Sequence, residues 1–254
     1  MQVDLNADMG EGFGPWKMGD DDALLQIVTS ANIACGAHAG DPDVMAHTMG
    51  VAKENDVGIG AHPGFADLQG FGRRRLNIPH ESLQNSIRTQ VGASLGMARA
   101  LGAKVRHVKL HGALANMCSE DEALARACYQ AVQSVDPDLI IMVLAATAQE
   151  RAVKSLGALH ATEIFADRAY NDDATLVDRS LPGAVIHDPV HAGARMVEMI
   201  NAQAIITKSG KHIATSIDTI CLHGDTPTAV EIARQVRDAL ESAGVAVTRF
   251  SGRR

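Results

Sequence analysis

Val105-Arg106-His107-Val108-Lys109-Leu110-His111-Gly112 is the stretch on which the architecture turns. In an extended chain side chains alternate between two faces, so Val108 and Leu110 lie on one side and His107, Lys109 and His111 on the other. The same division recurs near the start of the chain, where Val3, Leu5 and Ala7 oppose Asp4, Asn6 and Asp8. Further on, Glu163 and Asp167 oppose Ile164 and Ala166. A parallel sheet covered by helices is normally apolar on both faces. Here one face carries acids, a lysine and histidines. A barrel interior that opens on an active site explains this pattern, and a plain packed sheet does not.

Working outward, short apolar runs alternate with helical patterns along all 254 residues. Strands are expected at Val3–Ala7, Asn32–Cys35, Val57–Ala61, Val105–Leu110, Leu139–Leu144, Glu163–Ala166 and Thr219–Leu222. Asp41-Pro42, Asp188-Pro189 and Thr226-Pro227 each set a capping side chain before a proline at the first helical position. Ser119-x-x-Glu122 reads as a capping box for a helix running to about Val135, and Glu81 to Leu101 is the longest helix candidate. Thr207 to His212 reads as a small hairpin turn before the last strand. Strand–helix alternation means parallel α/β architecture, and seven strands without a linker suit one closed barrel, a single domain over residues 1–254.

Composition excludes several functions. Lys plus Arg is 23 and Asp plus Glu is 30, a net charge of −7, and the largest basic cluster is Arg73-Arg74-Arg75. That balance argues against nucleic acid as a partner. The longest apolar run, Leu139 to Ala148, is about half of the roughly 20 residues that span a bilayer, so no membrane partner is expected. No secretory signal is visible at Met1–Asn6, and Cys35, Cys118, Cys128 and Cys221 are too scattered for a disulfide framework. The expectation is a reduced, cytoplasmic protein.

The chemistry collects at the C-terminal ends of the strands, where parallel β/α folds place their sites. Asp8, His38, His62, His111, Asp167 and His223 each follow a strand, with glycines on either side. Phe13, Trp16, Phe65, Phe71 and Tyr170 fall in loops just beyond. Lys109 lies two residues before His111 on the same inward face, where desolvation is expected to depress its pKa; the alternative is a buried structural pairing with Glu163 or Asp167. Helices begin after His38 and His223, and their free N–H groups suit an anion, although Asp41 and Asp225 compete there as caps.

Asp8, His38 and His62 form a candidate metal triad with an open position, though no spacing requires a metal. There is no Walker A loop, no G-x-G-x-x-G and no H-E-x-x-H; Gly92-Ala93-Ser94-Leu95-Gly96 sits mid-helix, not on a nucleophile elbow. His187 and His191 have metal-pair spacing, but the helix there begins with the capping Asp188-Pro189 and the pair reads as structural. From residues alone the reading is a barrel hydrolase or lyase acting on a small polar substrate.

At these same residues the chain resembles a known family. The segments are Asp4-Leu5-Asn6-Ala7-Asp8-Met9-Gly10-Glu11-Gly12-Phe13-Gly14, Ser30 to Pro42, Gly60-Ala61-His62-Pro63-Gly64 and Phe71-Gly72-Arg73-Arg74. They continue with Val108 to Leu114, Phe165-Ala166-Asp167-Arg168-Ala169-Tyr170 and Asp218 to Asp225. Together they are similar to the LamB/YcsF family of 5-oxoprolinase components, and the likeness runs from residue 2 to about 250. One departure is Ala115 before Asn116, where the family carries an aromatic.

The resemblance implies a distorted TIM-like (β/α) barrel, seven-stranded and glycoside hydrolase/deacetylase-like. It implies ATP-dependent cleavage of the lactam of 5-oxo-L-proline to L-glutamate, with ATP as co-substrate accompanied by Mg2+, and with subunits B and C as partners. Catalytic candidates are then Asp8, Glu11, His38, His62, Lys109, His111, Asp167 and His223. Candidates for substrate or phosphate binding are Asn6, Asp41, Arg73, Glu163, Arg168, Tyr170 and Asp225. Asp8, Glu11 or one of the histidines is the expected general base. Alternatives are a metal-dependent amidase or deacetylase working without ATP, and a non-catalytic subunit that only binds substrate.

Overall fold

A computed structural model describes residues 1–223 and 229–254. Seven parallel strands form a ring: β1 (Gln2–Met9), β2 (Ser30–Ala34), β3 (Gly58–His62), β4 (Val105–Lys109), β5 (Ile140–Leu144), β6 (His160–Phe165) and β9 (Thr219–His223). Each pairs with the next, and β1 closes the ring by pairing Asp4 to Asp8 with Thr219 to His223. The helices α1 (Asp21–Leu24), α2 (Pro42–Glu54), α3 (His80–Ala100), α4 (Gly112–Glu120), α5 (Glu122–Val135), α6 (Ala148–Ser155), α7 (Pro189–Ala202) and α8 (Ala229–Ser242) follow the strands. A hairpin of β7 (Ala204–Ile206) and β8 (His212–Ala214) precedes β9, with its turn at residues 207–211 as the sequence pattern predicts. A short β10 (Ala246–Val247) adds to the outer start of β1.

The local signals mostly act as read. Asp41 caps α2 by accepting from the N–H groups of Asp43 and Val44, both at 2.9 Å, and Asp188 caps α7 through His191 N–H at 2.9 Å. The capping box is corrected: Ser119 belongs to the last turn of α4 and bonds the Asn116 carbonyl, while Asp121 caps α5. The helix expected to run to about Val135 is α5, which ends there, and the nine-residue α4 before it has no counterpart in the sequence reading. Thr226-Pro227 lies outside the described residues.

The barrel is filled, not hollow. At its floor the Asp4 carboxylate accepts from Thr29 and Ser30 hydroxyls, each at 2.7 Å, and from Thr219 at 2.5 Å. Burial pushes the Asp4 carboxyl up to about 6, although those hydroxyls pull the other way. One layer higher, Asn6 donates to Thr219 at 2.7 Å, Asn32 donates to Asn6 at 2.7 Å, and His107 Nε2–H donates to Asn32 at 2.8 Å. Gly60 makes room for that imidazole, since a Cβ at Gly60 would lie 2.1 Å from His107 Nε2. Phe250 closes the other side of the floor against Ile140, Met142 and Ala161, with its ring 5.3 Å from that of His107. The outward faces of the strands, among them Leu5, Ala7, Ile33, Val108 and Ile164, make the main apolar core with the helices.

Candidate active site

The top layer of the barrel opens outward. It faces a cavity of about 580 Å³ lined by Asp8, Glu11, Lys109, His111, Glu163 and His223, with Arg73, Arg75, Arg168 and Arg179 around its mouth. Alternation along β1, β4, β6 and β9 delivers Asp8, Lys109, Glu163, Cys221 and His223 to this layer.

Lys109 is at the centre. Its Nζ lies 2.9 Å from Asp8 Oδ1, 2.9 Å from Glu163 Oε1 and 2.9 Å from Cys221 Sγ, with the Phe165 ring 5.1 Å away. Burial acts to lower its pKa, but the Asp8 and Glu163 carboxylates reverse the sign and hold the ammonium well above the ordinary lysine range. The expectation of a depressed lysine is therefore wrong: two carboxylates outweigh desolvation. Lys109 is a fixed cation, not a proton acceptor. Burial raises the Cys221 thiol well above its ordinary value, so it sits beside Lys109 as the neutral thiol.

Asp8 stands between two imidazoles. Its Oδ2 is 3.3 Å from His62 Nε2 and 3.9 Å from His223 Nε2, and its Oδ1 also accepts from Asn32 at 2.9 Å. Burial opposes its charge, but His62, Lys109 and His223 hold the carboxyl well below the usual carboxylate range. His223 is backed in turn by Asp167, with Nδ1 to Oδ2 at 2.6 Å. The Asp167 carboxyl is held low by His223 and by Arg179 and Arg168, against the effect of burial. This dyad fixes the imidazole orientation and leaves Nε2 toward Asp8 and the cavity, as a general base or acid requires.

A second cluster lies beside it. His62 Nδ1–H donates to the Lys109 carbonyl at 2.8 Å, His111 Nε2–H donates to the Phe71 carbonyl at 2.8 Å, and His111 Nδ1 stands 3.1 Å from His62 Nε2. His38 stacks on His111 at 3.6 Å between ring centroids. Burial lowers His38 to about 3 and, with His38 and His62 nearby, lowers His111 well below the ordinary histidine range. Gly72 packs on this pair at φ +60°, where a Cβ would meet His38 Cβ at 2.7 Å. Both close approach and backbone favour glycine there.

Residues 3–254 match the LamB/YcsF family. A Ruegeria pomeroyi protein, named as the A component of 5-oxoprolinase, is 72% identical over 249 residues, which cover 98% of each chain. One of the same name from Rhodopseudomonas palustris is 51% identical, covering 99% of this chain and 100% of its own. The chain belongs to the LamB/YcsF family. The crystal structure of a lactam utilization protein from Thermus thermophilus is 41% identical and superposes with a TM-score of 0.92, covering 98% of this chain and 100% of that one. A GH18 chitinase from Pseudoalteromonas aurantia shares the barrel fold alone, at 9% identity and a TM-score of 0.54 over 94% of this chain and 100% of its own.

Within this LamB/YcsF barrel the sequence-read candidates separate into groups. Asp8, Glu11, Lys109, His111, Glu163 and His223 line the cavity, as do Arg73 and Arg168, while His38, His62 and Asp167 stand directly behind them. Asn6 is fully buried in the layer below and bonds only within the barrel, so it does not reach a substrate. Tyr170 is fully buried too: its hydroxyl accepts from Phe165 N–H at 2.7 Å, and the Arg195 guanidinium lies 5.4 Å from its ring. Asp41 is spent on capping α2 and on Gly14 N–H at 2.6 Å, outside the cavity wall. Asp225 lies outside the described residues. Asp8, His38 and His62 do not assemble as one ligand set: Glu11 joins His38, His62 and His111, and Asp8 groups with Cys221 and His223.

Two participants escape the sequence pattern as read above. Cys221 touches Lys109 and is legible by alternation, because it lies two residues before His223 on the same face. Arg179 reaches the mouth from the loop after β6, and no sequence signal marks it. Among the described residues no helix is long and apolar enough to cross a membrane.

Proposed function

We propose that this chain opens the lactam ring of 5-oxo-L-proline (pyroglutamate) to give L-glutamate, in an ATP-dependent reaction carried out with subunits B and C. Full-length identity of 72% to a protein named as a 5-oxoprolinase component supports the substrate. The His223–Asp167 dyad at the cavity, under a rim of arginines, supports the chemistry.

A five-membered lactam is a stable amide, and its carbonyl carbon is a poor electrophile. Phosphorylation of the lactam oxygen by ATP, which Mg2+ accompanies, converts it into a good one. Water then adds to that carbon, and His223 Nε2 takes the water proton while Asp167 stabilises the imidazolium. Expulsion of the ring nitrogen, with a proton returned to it, leaves an acyl phosphate that a second water hydrolyses to carboxylate and phosphate. Arg168 fits the anion: it is buried, donates to the Val177 carbonyl at 2.6 Å, and its guanidinium pKa is lowered to about 10 by burial and by Arg179. Arg73, stacked 4.8 Å from the Phe71 ring, and Arg179 add charge at the same mouth. Planar guanidinium groups suit phosphate and carboxylate oxygens. Lys109 fixes Asp8 and Glu163 in place and lends positive field to developing negative charge.

The test follows 5-oxoproline-dependent phosphate release and glutamate formation with this chain alone and with subunits B and C. The expected result is little or no turnover by the chain alone and ATP-coupled turnover by the mixture. Full ATP-coupled activity from the single chain overturns the partner requirement. No turnover of 5-oxoproline in any combination overturns the substrate. Lactam or amide hydrolysis without ATP supports the amidase reading instead, for which the His62–His111–Glu11 cluster is the structural argument.

A further inference from the structure

We propose a divalent-cation site formed by Glu11 Oε1, His62 Nε2 and His111 Nδ1 in the wall of the cavity, independent of which substrate the cavity takes. The proton positions carry the argument. A carbonyl oxygen only accepts, so His62 places its proton on Nδ1 toward the Lys109 carbonyl, and His111 places its own on Nε2 toward the Phe71 carbonyl. Both remaining lone pairs then face each other across 3.1 Å. Glu11 Oε1 lies 3.5 Å from His111 Nδ1, and Asp8 Oδ2 lies 3.3 Å from His62 Nε2. Two lone pairs so placed need a positive charge between them, a proton or a cation. Lys109 Nζ does not supply it, being held by Asp8 Oδ1, Glu163 and Cys221.

The spacing suits a small cation. Ligand bonds of about 2.0–2.1 Å in tetrahedral geometry put ligand atoms about 3.3 Å apart. The separations of 3.1 and 3.5 Å bracket that value. The two rings stand at 88° with centroids 4.9 Å apart, so each lone pair has its own approach. Backbone carbonyls orient both imidazoles from behind, as carbonyls commonly do for histidine ligands. His38 does not join as a fourth ligand, since its ring is parallel to His111 within 7° at 3.6 Å and cannot share an in-plane ion with it. It is nonetheless aimed at the site: His38 is 1% exposed, its Nε2 lies 3.6 Å from Glu11 Oε1, and neither ring nitrogen has a hydrogen-bond partner among the described residues. A water on the ion would be its partner. The other potential ligand group, Asp8, Cys221 and His223, holds no ion, because the Lys109 ammonium sits 2.9 Å from both Asp8 and Cys221.

The full chain, stripped with a chelator, is titrated with Co2+ while visible absorption and metal content are followed. One equivalent should bind, with the ligand-field bands of a cobalt ion of low coordination number. Glu11→Gln, His62→Ala and His111→Ala should each weaken binding on the order of 10²-fold or more, while His38→Gln should weaken it about tenfold and His223→Ala should leave it unchanged. Circular dichroism and a melting curve show that each variant folds. Absence of stoichiometric binding, together with a strongly deshielded imidazole proton in the NMR spectrum, overturns the proposal in favour of a proton trapped between His62 and His111. Binding lost in His223→Ala but kept in His111→Ala overturns it in favour of the other group. Neither readout uses turnover, so a cation can bind even if the 5-oxoproline reading fails.

Discussion

Replacing Lys109 by Met keeps the length of the side chain and removes its charge. The structure sets what is lost. Two charge-assisted contacts disappear, to Asp8 and to Glu163, each at 2.9 Å in a fully buried layer. At about 1.5–3 kcal/mol each, they sum to about 3–6 kcal/mol. That agrees with the roughly 3–5 kcal/mol for leaving a buried charge without its partner. In a domain of this size the loss corresponds to a fall in Tm of roughly 6–24 °C. The effect should depend on pH in a definite direction. With Lys109 present the Asp8 carboxyl is held low, and the stability it contributes is lost only as the pH falls through that depressed value. With Lys109 gone, burial acts on the Asp8 carboxylate against one fewer positive charge and favours its protonated form. Lys109→Met should therefore recover part of its deficit as the pH is lowered from neutral into the acid range, and Lys109→Met combined with Glu163→Gln should recover part of it without acidification. Urea unfolding across that range measures both, and turnover with the partner subunits should drop on the order of 10²-fold or more. A Lys109→Met protein with wild-type stability at neutral pH and no change on acidification refutes the clamp.

Three further outcomes follow from the same interior. Asp4, pushed up to about 6 by burial, binds its proton more tightly folded than unfolded, so its contribution is full below about pH 4 and is lost as the pH rises through 6. Asp4→Asn should therefore gain on the wild type by about 3 kcal/mol between pH 4 and pH 8, read as the difference of two unfolding curves. Phe250→Ala should cost about 3–5 kcal/mol by opening a cavity against Ile140, Met142 and His107, while leaving KM for the substrate unchanged. Asp167→Asn should lower turnover on the order of 10²–10⁴-fold while costing no more stability than its one charge-assisted contact, about 1.5–3 kcal/mol, since it releases the His223 tautomer and leaves the packing intact; an undiminished rate rules out the dyad.

The barrel and the membership of its top layer are legible because period-two alternation needs only one strand at a time. His107, Lys109 and His111 show their common face before any partner strand is known. What alternation lacks is depth. Asn6 and Asp8 share a face, yet one lies in the sealed middle layer and the other in the cavity wall. Tyr170 fails for a related reason: a loop residue beyond a strand end is free to fold back, and this one turns its hydroxyl onto the β6 backbone. The sign of the Lys109 shift depends on how many carboxylates reach it, which is a matter of three strands meeting. Cys221 escapes a reading that weighs cysteines as disulfides and not by face. Ser119 is misassigned as a cap because α4 begins at Gly112, a residue that gives no start signal.

Ring closure sets an order of assembly. Asp4 and Asn6 reach Thr219 across 215 and 213 residues of chain, so the polar side of β1 has no permanent neighbours on its β9 edge until nearly the whole polypeptide is available. Loop entropy for such distant contacts is spent before they return anything, which makes folding slow relative to helical proteins of similar stability. A nascent chain on the ribosome thus carries an acid- and asparagine-studded strand with an open hydrogen-bonding edge for most of its synthesis. Those polar side chains, later sealed in the barrel, keep that waiting strand hydrated and unattractive to other strands, so the residues that form the floor of the finished barrel also guard its unfinished edge against aggregation.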